Sequence, residues 1–295
     1  MDRRTLLRGL ATAGAVAALP AGSRAEARVV HTPPEEMKGL LYDTTRCIGC
    51  KACVAACKRE NELPAEDNGI PGGLHDAPLD LSGTTKTVIK LYKGENESSF
   101  YKAQCLQCID PACASACMLG AFQKREYGIV TWDGSRCVGC RYCQVACPFN
   151  IPKTEWHALN PRIVKCELCR HRFAEGKGPA CAEVCPRGAV VFGKRDDLLQ
   201  EAKARMAAEP TKYVPKIYGE TDGGGTQCLV LSHVDFAKLG LPDIGDEPAP
   251  DLARTVQHGV YKGFIAPVAL YAVLGSVIWR NRRKEEATGT QEERP

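Results

Sequence analysis

Hydrophobic positions in this chain fall in short runs, and most of the elements they predict are brief. Residues 39–42 read as a strand, and TVIKLY at 87–92 as another. Residues 121–124 and 128–132 predict a hairpin that turns across Glu126 and Tyr127. Residues 189–192 and 229–231 predict two further strands. A helical period runs over 196–206, with Leu198, Leu199, Ala202 and Met206 on one face. Between these lie an extended lead-in at 28–39, a surface loop rich in Pro, Gly and Asp at 64–83, and a flexible turn region at 219–226.

Two longer apolar stretches mark the ends. Arg3 and Arg4 precede an apolar run from Leu10 to Leu19, and A-x-A-like sites follow at Ser23-Arg24-Ala25 and Ala25-Glu26-Ala27. This is the layout of a twin-arginine export signal, expected over 1–27; the run is too short for a membrane span. Such export carries folded proteins, so a cofactor can be inserted before transport. Near the other end, residues 263–279 (GFIAPVALYAVLGSVIW) contain no charge and are followed by Arg280, Arg282, Arg283 and Lys284. A membrane helix is expected over 260–280, with the tail 281–295 in the cytoplasm by the positive-inside rule. Residues 242–259 then form a linker, and 28–241 a single domain on the periplasmic side of the inner membrane.

Composition changes the picture at one residue type. The 295 residues are 44% hydrophobic and 25% charged, with a net charge of +4 scattered along the chain, which gives no reason to expect nucleic acid. The chain has seventeen cysteines, although it is too long to need disulfide staples. Sixteen fall into four groups. The first is Cys47, Cys50, Cys53 and Cys57; the second Cys105, Cys108, Cys113 and Cys117. The third is Cys137, Cys140, Cys143 and Cys147; the fourth Cys166, Cys169, Cys181 and Cys185.

The first and third are C-x2-C-x2-C-x3-C runs within an internal repeat, RCIGCKACVAAC and RCVGCRYCQVAC. A cubane needs one thiolate on each of four irons. Two-residue gaps let a looping backbone wrap three corners, and the fourth cysteine, on a helix leading away, ligates the other cluster of a pair. Four groups exchanging fourth ligands give four 4Fe-4S clusters with no cysteine left over but Cys228, which reads as a small apolar strand residue. Zinc sites use fewer, more separated pairs, and neighbours in C-x2-C are poor disulfide partners, so a zinc- or disulfide-stabilised structural or assembly protein is the weaker reading.

Spacing leaves open which groups exchange ligands. The order of the four groups resembles that in the electron-transfer subunits of the dimethyl sulfoxide reductase and formate dehydrogenase families, where the first pairs with the fourth and the second with the third. The resemblance implies one cluster on Cys47, Cys50, Cys53 and Cys185, and a second on Cys57, Cys166, Cys169 and Cys181. It implies a third on Cys105, Cys108, Cys113 and Cys147, and a fourth on Cys117, Cys137, Cys140 and Cys143. The first two groups depart from the pattern, ending in Cys57-Lys58 and Cys117-Met118 where Cys-Pro is usual.

With both ends included, the chain resembles the periplasmic iron–sulfur proteins of hydrogenase-2 systems. DRRTLLRG, QCLQCIDPACASAC, YGETDGGGTQCLVL and QHGVYKGFIAP carry that likeness, the last two outside the cysteine groups. It implies electron transfer between a NiFe hydrogenase and an NrfD-like integral membrane subunit that reduces quinone. The chain has no hydrogen-activating site of its own: paired C-x2-C nickel motifs near both ends are missing, and no catalytic residue is expected. The iron–sulfur subunit of a molybdenum formate dehydrogenase is the alternative.

Other residues have two readings each. Arg170, His171, Arg172 and Lys177 could dock an acidic partner or form a solvated loop. Lys51 and Arg141, equivalent in the repeat, could stabilise reduced clusters or simply lie at the surface. The fold expected is α+β: two ferredoxin-like 4Fe-4S modules related by a pseudo-twofold, with one C-terminal transmembrane helix.

Overall fold

The computed structural model describes residues 36–65, 77–156, 158, 161–251 and 265–288. The expected export signal at 1–27 lies outside them. The chain divides into residues 30–250 and the flanking segments 1–29 with 251–295.

In the first unit, β1 (Lys38–Asp43) is the centre of a three-stranded sheet. β8 (Val190–Lys194) runs antiparallel on one side, and β9 (Cys228–Leu231) runs parallel on the other. The period of two along β1 sorts its side chains. Leu40 and Tyr42 join Val190, Val230 and several cysteines in the main core. Leu41 faces the other way, where α5 (Arg195–Ala208) covers the sheet with Leu198 and Ala202 against Leu229 and Leu231. Asp43, on the same side and fully buried, accepts hydrogen bonds from Arg205 Nη1 at 3.0 Å and Tyr213 Oη at 3.1 Å. Its other oxygen accepts from Thr45 N at 3.0 Å and Thr45 Oγ1 at 2.6 Å, setting the turn that leads to Cys47.

β2 (Thr87–Lys93) pairs with β3 (Ser98–Gln104) in a hairpin packed beside this core. β4 (Phe122–Lys124) and β5 (Val130–Trp132) form the hairpin expected around Glu126 and Tyr127. β6 (Lys153–Thr154) and β7 (Ile163–Val164) form a minimal third. Four short helices carry cysteines: α1 (Ala52–Glu60), α2 (Ala112–Ser115), α3 (Tyr142–Ala146) and α4 (Ala180–Glu183). α1 packs on α4 and α2 on α3, so the first cysteine group meets the fourth and the second meets the third.

The turn region at 219–226 is tied down. Asp222 is buried and accepts from Gly219 N at 2.8 Å, and Arg195 Nε donates to the Thr226 carbonyl at 2.7 Å. Gly223 N and Gly224 N donate to the carbonyls of Gly245 and Asp246, which draws the start of the 242–259 segment onto this loop. Glycines here supply backbone conformation, and buried polar partners then hold the loop in place.

In the second unit, α6 spans Ile265–Thr288. The crossing expected over 260–280 is not carried by the described residues, since 260–264 lie outside them. The apolar run of α6 ends at Trp279, before Arg280. At about 1.5 Å per residue that run rises roughly 22 Å, short of a hydrocarbon core of about 30 Å. Among the described residues no helix is long and apolar enough to cross a membrane. The two ferredoxin-type modules of the expected fold stand; the membrane helix does not stand on these residues.

Candidate functional site

The four cysteine groups share a local turn that the sequence displays only in two of them. Gly49 (φ 70°), Gln107 (φ 55°), Gly139 (φ 73°) and Leu168 (φ 52°) each stand immediately before the second cysteine of their group, all left-handed. That conformation costs a residue with a Cβ about 1–2 kcal/mol. Gln107 and Leu168 hold it because both are fully buried. Gln107 Nε2 also donates to the Cys166 carbonyl at 2.7 Å, and its Oε1 accepts from Val130 N at 2.8 Å. The turn aims amides at sulfur. Gly49 N lies 3.5 Å from Cys47 Sγ and Leu168 N 3.4 Å from Cys166 Sγ; beyond the second group, Ala121 N lies 3.2 Å from Cys117 Sγ. Such N–H···S contacts stabilise a negatively charged sulfur.

Four cavities follow from the packing of α1 on α4 and α2 on α3. One of about 350 Å³ is walled by Cys47, Cys50, Cys53 and Cys185, with Tyr42, Ile89 and Pro186 around it. A second, of about 310 Å³, is walled by Cys57, Cys166, Cys169 and Cys181 together with Lys102, Thr87 and Gln104. A third, of about 380 Å³, is walled by Cys105, Cys108, Cys113 and Cys147 with Lys165 and Pro148. The fourth, of about 820 Å³, is walled by Cys117, Cys137, Cys140 and Cys143. It is wide because its rim is exposed: Met118 is 94% accessible, and Val138 and Cys140 are also exposed. The sixteen grouped cysteines thus line four cavities, four to each.

These sets suit an inorganic cluster better than a single ion. Among the described residues, no group of three or more His, Cys, Asp or Glu closes tightly enough to hold one metal ion. All seventeen cysteines are free thiols. The four-thiol walls surround a volume, as a cubane with an iron at each of four corners requires. Burial pushes the Cys57 thiol well up, with the neighbouring Cys166, Cys181 and Cys169 adding to it. Burial also raises Cys143 to about 11, assisted by Cys137, Cys117 and Cys140. Loading such sites with iron therefore displaces protons from the thiols.

Two buried cations among the thiols have no sequence signal. Lys102 Nζ donates to Thr87 Oγ1 at 2.6 Å and to Gln104 Oε1. Lys165 Nζ donates to the carbonyls of Val130 and, at 3.1 Å, Cys166. β3, which carries Lys102, is not among the strands expected from the sequence; buried polar residues at 99, 102 and 104 obscure its alternation. Cys228 lies where expected, buried in β9, with its thiol 3.7 Å from the Cys105 carbonyl and outside all four cavities.

The basic residues inside the fourth group are largely neutralised at home. Arg170 pairs with Glu126 at 3.1 Å, Arg172 with Glu183 at 2.8 Å and Glu60 at 3.4 Å, and Lys177 with Glu175 at 2.8 Å. His171 meets Glu60 at 3.0 Å. Lys51 and Arg141 both take left-handed backbones just before α1 and α3, and Arg141 stacks over Trp156 with 3.8 Å to the ring centroid.

Known proteins share this pattern. A family model described as "4Fe-4S dicluster domain" matches residues 97–195, and one described as "4Fe-4S binding domain" matches 40–60. The chain is 36% identical to the "Hydrogenase-2 operon protein HybA" of Escherichia coli O157:H7, with 98% of each chain covered. It is 43% identical to a protein of Nitratidesulfovibrio vulgaris over 85% of this chain and 70% of that one. To the "Formate dehydrogenase, nitrate-inducible, iron-sulfur subunit" of Escherichia coli K12 it is 35% identical, covering 81% of this chain and 86% of the relative.

Proposed function

Because the chain belongs to the family of 4Fe-4S iron–sulfur proteins that includes HybA, we propose that it conducts electrons from a periplasmic NiFe hydrogenase to an NrfD-like integral membrane subunit that reduces quinone. The observation that carries this reading is the set of four cavities, each walled by four cysteines drawn from two groups. Four 4Fe-4S clusters occupy them, one per cavity, in the ligand sets named above. The clusters supply one-electron redox chemistry. The protein's own residues would hold the clusters and set the charge around them. No bond is made or broken in this chain, so hydrogen is split in the partner.

The chain reaches the periplasmic face through the twin-arginine signal at 1–27. Its membrane contact is the segment 260–280, followed by the 281–295 tail. In support, α6 exposes apolar side chains on all sides, including Val268, Leu270, Tyr271, Leu274, Val277 and Trp279, with Arg280, Arg282 and Arg283 directly after them. A helix that is apolar all round needs an apolar environment.

The test is iron and acid-labile sulfide on anaerobically purified protein. Four clusters of four irons predict about sixteen of each per chain. About twelve would mean one site holds a three-iron centre or none; little iron with bound zinc or disulfides would overturn the reading. The identity to formate dehydrogenase subunits supports a second partner reading. Purifying the chain with its native partners separates the two: cluster reduction by hydrogen supports the hydrogenase, reduction by formate the dehydrogenase.

A further inference from the structure

Lys102 and Lys165 are each only 2% exposed, and both ammonium groups are bonded to neutral oxygens. Among the described residues, neither is within ion-pair distance of a carboxylate. A buried unpaired charge costs several kcal/mol, so such a lysine persists only where negative charge stands close by another route. The cavities supply that route. Lys102 lines the cavity of Cys57, Cys166, Cys169 and Cys181, and its charge also interacts with Cys53 of the neighbouring cavity. Lys165 lines the cavity of Cys105, Cys108, Cys113 and Cys147; Cys105 favours its charge, as do Glu167 and, in the second cavity, Cys166. Each lysine thus bridges two successive sites.

The fourth cavity differs. Its cations are Arg136, more than half exposed, and Arg141, stacked on the exposed Trp156; no buried lysine lines it. Water screens an exposed charge far more than a buried one. Four thiolates around a doubly positive core would leave a net charge of −2, and one added electron would make it −3. A fixed positive charge at short range in a dry interior favours the more negative state.

We propose that Lys102 and Lys165 are fixed counter-charges that raise the reduction potentials of the first three sites relative to the fourth, so that electrons in transit reside preferentially in the buried part of the chain. The inference rests on the electron-conduction reading above. One electron enters or leaves a site at each step, and both lysines keep their protons throughout.

The experiment is a potentiometric titration of the full-length, anaerobically purified protein followed by electron paramagnetic resonance, with iron and sulfide measured first. Lys102→Gln retains a donor but loses the charge. It is expected to load fully and to lower two of the four potentials, changing the reduced-to-oxidised ratio at fixed potential at least tenfold (59 mV for one electron). Lys102→Arg is expected to leave both near their original values, and Lys165→Gln repeats the test around the third site. Loaded Gln variants with unmoved potentials would overturn the inference while leaving the conduction reading intact. Failure of both Gln variants to load, with the Arg variant loading, would also overturn it, because the charge would then serve assembly. A wild-type chain with little iron would instead sink the underlying reading.

Discussion

Gly49 and Gly139 hold the same place in the repeated C-x-G-C loops, so the sequence assigns them the same sensitivity to substitution. The structure separates them. Both backbones are left-handed, at φ 70° and 73°, which costs alanine about 1–2 kcal/mol at either position. A Cβ on Gly139 would meet nothing closer than Pro161 Cγ at 3.9 Å. A Cβ on Gly49 would stand 2.3 Å from Phe100 Cε1, with two more ring atoms within 2.7 Å. Phe100 lies in β3, where its carbonyl accepts from Tyr42 Oη at 2.7 Å, so relief of the clash requires the half-buried ring itself to turn aside. Overpacking of this kind adds about 1–3 kcal/mol. For a unit of this size about 1 kcal/mol moves the unfolding midpoint by roughly 2–4 °C. Gly139→Ala should therefore lower it by about 2–8 °C, and Gly49→Ala by roughly 4–20 °C. The assay is thermal loss of the broad visible cluster absorption under anaerobic conditions. Adding Phe100→Leu should bring the further cost of Gly49→Ala down to that of Gly139→Ala, a coupling a double-mutant cycle reads directly. Equal costs for the two alanines, or no relief from Phe100→Leu, would refute the packing argument.

Cys228→Ala should leave iron and sulfide at the wild-type level, because Cys228 lies outside all four cavities, whereas Cys143→Ala should lose iron from the open one. Asp43→Ala should cost about 1–3 kcal/mol, because Tyr213 Oη and Thr45 N lose their acceptor while Arg205 keeps Glu201; Asp43→Asn, which retains an acceptor, should cost less in the same thermal assay. The hydrogen bond from Arg162 holds the Glu155 carboxyl below its ordinary range. A lowered carboxylate pKa stabilises the folded state above the unfolded value of about 4.3 and loses that contribution as pH falls through the folded value. Hydrogen-exchange protection across β6 and β7, taken relative to the intrinsic rate at each pH, should therefore fall below about pH 4 in the wild type. Glu155→Gln should remove that dependence, and an unchanged pH profile would refute the assignment.

Much of this protein was legible without coordinates. Six of the nine strands among the described residues, the β4–β5 turn and the α5 face follow from alternation and helical period, which short segments express by themselves. The grouping of sixteen cysteines was equally legible, because two- and three-residue gaps fix what one loop can reach. Missing were β3, whose buried Lys102 and Gln104 break the alternation, and the brief β6–β7 hairpin. The hold on the 219–226 loop was missed as well: it is exerted by Arg195 and Asp222, and a glycine run does not reveal its partners.

Sequence alone determined the chemistry: thiolates in cubane-forming loops, four groups of four, and one cysteine left over. Only the tertiary structure decided which loops share a wall. Cys53 and Cys185 stand on one cavity because α1 packs on α4, a contact between segments more than a hundred residues apart that no local spacing encodes. The same packing places Lys102 and Lys165 between cavities and leaves the fourth open at Met118 and Val138. Covalent spacing sets what a few neighbouring residues can bind; the burial around them, which sets charge and access, is a property of the whole core.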